Sequence, residues 1–311
     1  MVFKRMIALA ALLLAATAAQ AQVAGPTLVP AAPRILDPSA MVPNTSFTAE
    51  NPAAMMWGLR QRFGGGQITT VDKDVTVTPN TDTKYSGNFA GFEKITKEVA
   101  IGLEMVKLNS GNTPADAISV TNVALAAKLF QDTSMGFAIN HASYKSGTAN
   151  EVINSPIMGV GFQKGGFAVG LAVGSDEWRS IDTANTPNEV DYVRPLRMMG
   201  VGYYQEGKGL NLHIEGNRIT RANYGPLTGT DNFMDTVVAE VNYSNIHVGY
   251  SLSVLHDDAG LGNSKFNVID VGYARLDGFA ILYHLEKGFR SQSSVDQNEY
   301  NTSAISLALH F

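Results

Sequence analysis

The 311-residue chain contains no cysteine, so neither a disulfide framework nor a thiolate metal site can form. It has no basic block either, and its formal net charge of −5 disfavours nucleic acid as a partner. Beyond residue 21, no apolar run approaches the roughly 20 residues that a membrane-spanning helix requires. The chain is instead rich in glycine and aromatic residues, a composition that suits both a membrane β-barrel and a secreted β-sandwich.

The first 21 residues have the organisation of a cleavable signal peptide. Lys4 and Arg5 precede the apolar run 6–16, which is too short to cross a membrane, and Ala19-Gln20-Ala21 is a small-x-small cleavage site. We expect cleavage after Ala21 and export of the mature chain. Because residue 22 is Gln and not Cys, lipoprotein processing is excluded.

Runs of alternating apolar and small or polar residues predict about fourteen strands. Their approximate spans are 59–71, 85–93, 98–108, 117–129, 135–144, 156–163, 166–175, 191–205, 208–219, 232–243, 246–256, 265–275, 278–287 and 300–311. Connections after even-numbered strands are short, whereas the longer ones are 72–84, 109–116, 145–155, 176–190, 220–231, 257–264 and 288–299. Outer-membrane barrels combine short periplasmic turns with longer extracellular loops. The sequence therefore predicts an all-β fold, an antiparallel transmembrane β-barrel over residues 54–311 in the bacterial outer membrane.

The last strand of the chain supports this location. Its apolar face ends on a terminal aromatic residue, and we interpret four of its residues as the signal that barrel-assembly machinery reads at the periplasmic rim: Ile305, Leu307, Leu309 and Phe311. Other aromatic residues lie near the short turns, where rings would meet outer-membrane lipid: Phe92, Phe130, Phe162, Phe167, Tyr243 and Phe279.

Residues 22–53 differ from the rest of the mature chain. Five prolines punctuate the stretch between residues 26 and 43, and proline cannot donate to a sheet ladder. This N-terminal segment is therefore either a disordered periplasmic tail or a plug that folds back into the lumen.

The stretch 51–108 resembles the start of the long-chain fatty-acid outer-membrane transporter family. The resemblance rests on Asn51-Pro52-Ala53, the glycine-rich stretch 62–68, and the predicted second and third strands at 88–92 and 99–103. It implies a fourteen-stranded barrel with an N-terminal hatch that takes up hydrophobic small molecules. It also implies that Asn51, Pro52 and Ala53 form the turn from hatch to barrel.

Strand alternation places a set of titratable side chains on the lumenal face: Glu104, His213, Glu215, Glu240, His247, Asp270, His284 and His310. Because these residues come from separate strands without local ligand spacing, we interpret them as a hydrogen-bonded polar interior and expect no metal and no cofactor. The lumenal serines and histidines show no nucleophile–base arrangement that would identify an enzyme. Passage of a hydrophobic small molecule is the expected function. The alternatives are a general diffusion porin for small polar solutes and a non-transporting structural barrel.

The signal-peptide interpretation can be tested on the exported protein. Intact mass and N-terminal sequencing of the outer-membrane form should give a chain that begins at Gln22, because Ala19 and Ala21 satisfy the cleavage rule. A membrane-bound form that retains Lys4 and Arg5 would contradict the interpretation.

Overall fold

A computed structural model describes residues 51–57, 61–75, 81–111, 117–146, 149–182, 188–206, 209–222, 231–257, 262–275, 278–292 and 295–310. The predicted signal peptide, residues 22–50 of the N-terminal segment, and Phe311 lie outside the described residues. The predicted boundaries between these parts therefore stay predictions.

Fourteen antiparallel strands close into one barrel, because β1 pairs with both β2 and β14. The fold class predicted from the sequence is confirmed in its strand number, its antiparallel order and its closure. A short 3₁₀ helix, η1 (Pro52–Trp57), precedes the strands. The strands are β1 (Arg62–Asp74), β2 (Thr81–Ile95), β3 (Val99–Ser110), β4 (Ala117–Phe130), β5 (Thr133–Ser146), β6 (Ala149–Lys164), β7 (Phe167–Asp182), β8 (Asn188–Glu206), β9 (Leu210–Ala222), β10 (Asp231–Tyr243), β11 (Ile246–Asp257), β12 (Gly262–Ala274), β13 (Phe279–Gln292) and β14 (Val295–His310).

The two faces of the wall have opposite character. On β11 the side chains of Ile246 and Val248 are 62% and 51% exposed. His247, which lies between them, and Ser251, farther along the strand, are buried. This alternation is the period-two geometry of a strand, and in a closed barrel it assigns the buried set to the inner face. The outer face is a continuous apolar band, which water solvates poorly and lipid accommodates.

The outer band ends in aromatic side chains at the short turns. Rings that the sequence placed there are exposed on the outer face: Phe92, Phe130, Phe162, Phe167, Tyr243 and Phe279. Ile305, Leu307 and Leu309 of the last strand are exposed on this face as well. The described residues include no helix that is long and apolar enough to cross a membrane.

Three of the expected long loops, 145–155, 176–190 and 288–299, are wrong because most of each is strand. Only residues 147–148 separate β5 from β6, only 183–187 separate β7 from β8, and only 293–294 separate β13 from β14. These stretches are rich in Asn, Ser, Asp and Glu, which normally signal loops. An antiparallel partner supplies their backbone hydrogen bonds, and pairing of this kind overrides local propensity.

Closure of the barrel predicts heat-modifiable migration in gel electrophoresis. An unheated sample should migrate as a compact species and a boiled sample as the extended chain, because β1 and β14 leave no free edge at which detergent could start unzipping the sheet. Identical migration of the two samples would count against a closed barrel.

Candidate lumenal site

Asn51 starts η1 and also ties it to the wall. Its side-chain oxygen accepts a hydrogen bond from the backbone N–H of Ala53 at 3.1 Å, which is the geometry of a helix cap, and Pro52 occupies the first helical position. The Asn51 amide nitrogen donates to the carbonyl oxygen of Val160 on β6 at 3.1 Å. Ser134 Oγ on β5 donates to the carbonyl oxygen of Ala53 at 2.8 Å. Two strands therefore hold the first turn of η1 directly.

Glycines on β5 and β6 make room for η1. A Cβ atom at Gly136 would lie 2.6 Å from the Ala53 nitrogen, and one at Gly161 would lie 3.1 Å from Trp57 Cη2. Both glycines belong to the buried face of the wall, so η1 packs on the inner face of the closed barrel. Met55 and Trp57 are buried in the same cluster as alanines of β3–β7.

The opposite part of the inner wall is polar. Five residues lie directly opposite one another on β9–β13 and form what we call the polar row: His213, Glu240, Gly249, Asp270 and His284. Each histidine hydrogen-bonds to the carboxylate beside it through Nδ1. His213 is 2.8 Å from Glu240 Oε2, and His284 is 2.7 Å from Asp270 Oδ1. Each carboxylate is thus oriented by an imidazole from the neighbouring strand.

His213 is the most enclosed member of the polar row. Its Nε2 atom lies 3.4 Å from Glu215 Oε2, and its ring stacks on the ring of Tyr204 with centroids 4.8 Å apart. The imidazole is therefore held between two carboxylates, with an aromatic ring over one face. Such an arrangement fixes the ring in one orientation, because rotation would break both contacts.

The residues predicted to line the lumen are placed as follows. Seven are buried on the inner face: Glu104, His213, Glu215, Glu240, His247, Asp270 and His284. Six of them gather on β9–β13, whereas Glu104 lies apart on β3, where its carboxylate accepts a 3.4 Å hydrogen bond from Asn122. The side chain of His310 lies outside what the structure describes. That these side chains contact a passing solute stays a prediction.

A second buried ionic group was missed by sequence reasoning. Asp176 on β7 accepts from Ser155 Oγ at 2.7 Å and from Arg221 Nε at 2.8 Å, and Arg194 Nη2 lies 3.9 Å away. Asp176 and Arg221 fall in stretches that were expected to be loops. Continuing the two-residue alternation beyond Gly174 and Ile219 would have placed them on the strands. Among the described ranges, no group of three or more histidine or carboxylate side chains is arranged to hold a metal ion.

Comparisons by sequence find no protein-family model and no curated protein that match this chain. Comparison with solved structures finds the toluene transporter TodX of Pseudomonas putida, at 10% identity and a TM-score of 0.53, over 89% of this chain and 99% of that one. The monoaromatic hydrocarbon channel CymD matches at 11% identity and a TM-score of 0.55, over 91% and 95% of the two chains. A FadL homologue of Pseudomonas aeruginosa matches at 12% and 0.53, over 88% and 95%.

The chain has the fold of these channels. The resemblance of residues 51–108 to the long-chain fatty-acid transporter family is thereby confirmed as a likeness of fold. At this level of identity the likeness carries no residue roles, so the part played by Asn51, Pro52 and Ala53 is drawn from their contacts alone.

The seat of η1 can be tested at Gly161. In a Trp178→Phe background, Gly161→Val should push Trp57 off the wall, shift its fluorescence to longer wavelength and raise its quenching by acrylamide. Overpacking of this kind costs about 1–3 kcal/mol, so the barrel itself should stay closed.

Gly216→Val on β9 is the matched control, because a Cβ atom there meets no atom within 4 Å. Emission and quenching of Trp57 that stay the same in the Gly161 variant would show that η1 does not occupy this seat.

Proposed function

We propose that this protein is an outer-membrane channel for the uptake of hydrophobic small molecules, with residues 22–50 acting as a plug. The fold supports a channel, and the matched proteins are described as a toluene transporter and a monoaromatic hydrocarbon channel. The apolar outer band and its aromatic border support residence in lipid. On this proposal the chain reaches the outer membrane through a signal peptide and the barrel-assembly machinery.

The position of η1 is the observation that supports the proposed plug. Asn51 is fully buried on the inner face, where its side chain bonds to β6. This position supports the proposal that the segment preceding Asn51 enters the lumen. A barrel of about 8 strands is filled by its own side chains, whereas one of about 16–18 strands encloses an open aqueous channel. A fourteen-stranded barrel lies between these sizes, so residues 22–50 would narrow its passage.

The polar row favours a second candidate, a diffusion pore for small polar solutes. Charged and hydrogen-bonding side chains are numerous on the inner wall of β9–β13, and porin lumens are polar in this way. An apolar ligand would have to avoid these side chains by moving along the alanine-rich and glycine-rich wall of β3–β7. The two candidates differ in what residues 22–50 do.

Planar-bilayer recording separates the two candidates. The mature protein should give a small, flickering conductance, and deletion of residues 22–50 should raise it severalfold, because the deletion leaves η1 on the wall and clears the path beside it. The Gly216→Val variant provides a folded control that should behave as the unaltered protein.

Two results would go against this proposal. A large and steady conductance of the intact protein, with passage of sugars into liposomes, would identify a diffusion pore. An unaltered conductance after the deletion would show that residues 22–50 are not a plug.

A further inference from the structure

The inner wall of β9–β13 has a mirror-like order about β11. In the polar row, Gly249 has a carboxylate on each side, and each carboxylate has a histidine beyond it. The next inward-facing row has the same symmetry about β11, because Ser251 has a valine on each side and a glutamate beyond each valine. Its members are Glu215, Val238, Ser251, Val268 and Glu286. We call the four carboxylates of these two rows the acidic half-ring: Glu215, Glu240, Asp270 and Glu286.

The centre of the acidic half-ring is crowded over Gly249. A Cβ atom at that position would lie 3.3 Å from Glu240 Cγ, from Asp270 Cβ and from His247 Nε2. Two carboxylate side chains from different strands and one imidazole thus converge on the same point of the inner wall. A Cβ atom at this position would be tight against all three side chains, so glycine leaves room for the two acids to approach each other.

Ser251 supplies a second, independent feature. Its side chain is 2% exposed, and its hydroxyl has no hydrogen-bond partner among the residues that the structure describes. It lies between Val238 and Val268, neither of which can bond to it. Buried hydroxyls are normally paired, so this one marks a place where a ligand atom can be bound.

Among the described residues, the positive charges on the inner wall lie away from the half-ring. On β10–β13, no inward side chain that the structure describes is Lys or Arg, because Lys265 and Lys287 point outward. Arg194 and Arg221 do face inward, but both contact Asp176 toward the other end of the strands. Among the described contacts of the half-ring, Glu240 and Asp270 each bond to a histidine, and Glu215 contacts His213 and accepts a hydrogen bond from Asn217.

We infer that the acidic half-ring selects ligands by charge, so that the lumen binds an ammonium-bearing small molecule and rejects a carboxylate of the same size. An ammonium group only donates hydrogen bonds, and carboxylates and the Ser251 hydroxyl can accept them. A ligand carboxylate would meet like charge at short range inside a wall that excludes water, where repulsion is least screened. Val238 and Val268 would receive the apolar part of the ligand. This inference rests on the proposed channel and narrows its substrate class away from fatty-acid anions.

Three ligands with one aromatic ring and different charge test the inference: benzylammonium, benzyl alcohol and benzoate. Equilibrium dialysis against proteoliposomes of the mature protein, with empty liposomes subtracted, should show benzylammonium bound about tenfold more tightly than benzoate, since placing like charges side by side is strongly unfavourable. Equal binding of the two ions would overturn the inference while leaving the channel proposal intact. Failure to bind any of the three, benzyl alcohol included, would count against both.

Variants then locate the selectivity. Glu240→Gln combined with Asp270→Asn should bring the ratio of benzylammonium to benzoate binding close to one. Glu299→Gln removes a carboxylate that pairs with Lys287 on the outer face at 3.0 Å, and it should leave the ratio unchanged. If the double variant does not migrate as a closed barrel, Glu215→Gln takes its place. A folded variant that keeps the full ratio would show that the half-ring does not select.

The reversal potential in a potassium chloride gradient gives an electrical readout of the same selection. We expect preference for potassium in the mature protein and a loss of that preference in the Glu240→Gln, Asp270→Asn variant. A large, steady and cation-selective current would support the half-ring while contradicting the plugged channel. Anion preference would overturn the inference, and if no current flows, the dialysis result decides.

Discussion

The arrangement of the lumen depends on the fit of η1 against the glycine-lined inner wall. Asn51 caps η1 with one side-chain atom and reaches β6 with the other, and Gly136 and Gly161 leave the space that the helix needs. Neither contact could form on the lipid-facing side of the wall, because the glycines belong to the buried face. The first described residues of the chain therefore lie inside the barrel.

The lumen is consequently divided into two unlike halves. Beside η1 the wall of β3–β7 presents mainly alanine and glycine, whereas the wall of β9–β13 presents paired histidines and carboxylates with valines between them. The polar groups are held in place by one another, since His213 and His284 each orient a carboxylate from the next strand. In the proposed channel, an apolar wall facing an ordered charged wall would discriminate between ligands by charge as well as by size.

Much of the fold could be predicted from the sequence, because a strand in a closed barrel has one apolar and one small or polar face. That alternation predicted fourteen strands and the inward position of His213, Glu240 and Asp270. It failed where both faces are polar, as at Asp176. In such a segment, only pairing with the neighbouring strand determines whether the chain forms a strand or a loop. It also could not predict the seat of η1, since Asn51 and Val160 are 109 residues apart. Gly136 and Gly161 do not by themselves show that a helix packs against them, because small residues are common on the inner face.

The absence of cysteine allows the seat of η1 to be measured directly. Cysteines introduced as Ala53→Cys and Ser134→Cys in the mature protein should be joined in intact outer membranes by a short bifunctional thiol reagent, because Ser134 Oγ lies 2.8 Å from the Ala53 carbonyl oxygen. The pair Ala53→Cys and Phe137→Cys is the control, since Phe137 points outward from the same strand. We expect efficient cross-linking of the first pair and none of the second. Failure of the first pair to cross-link in a correctly closed barrel, or equal cross-linking of both, would contradict it.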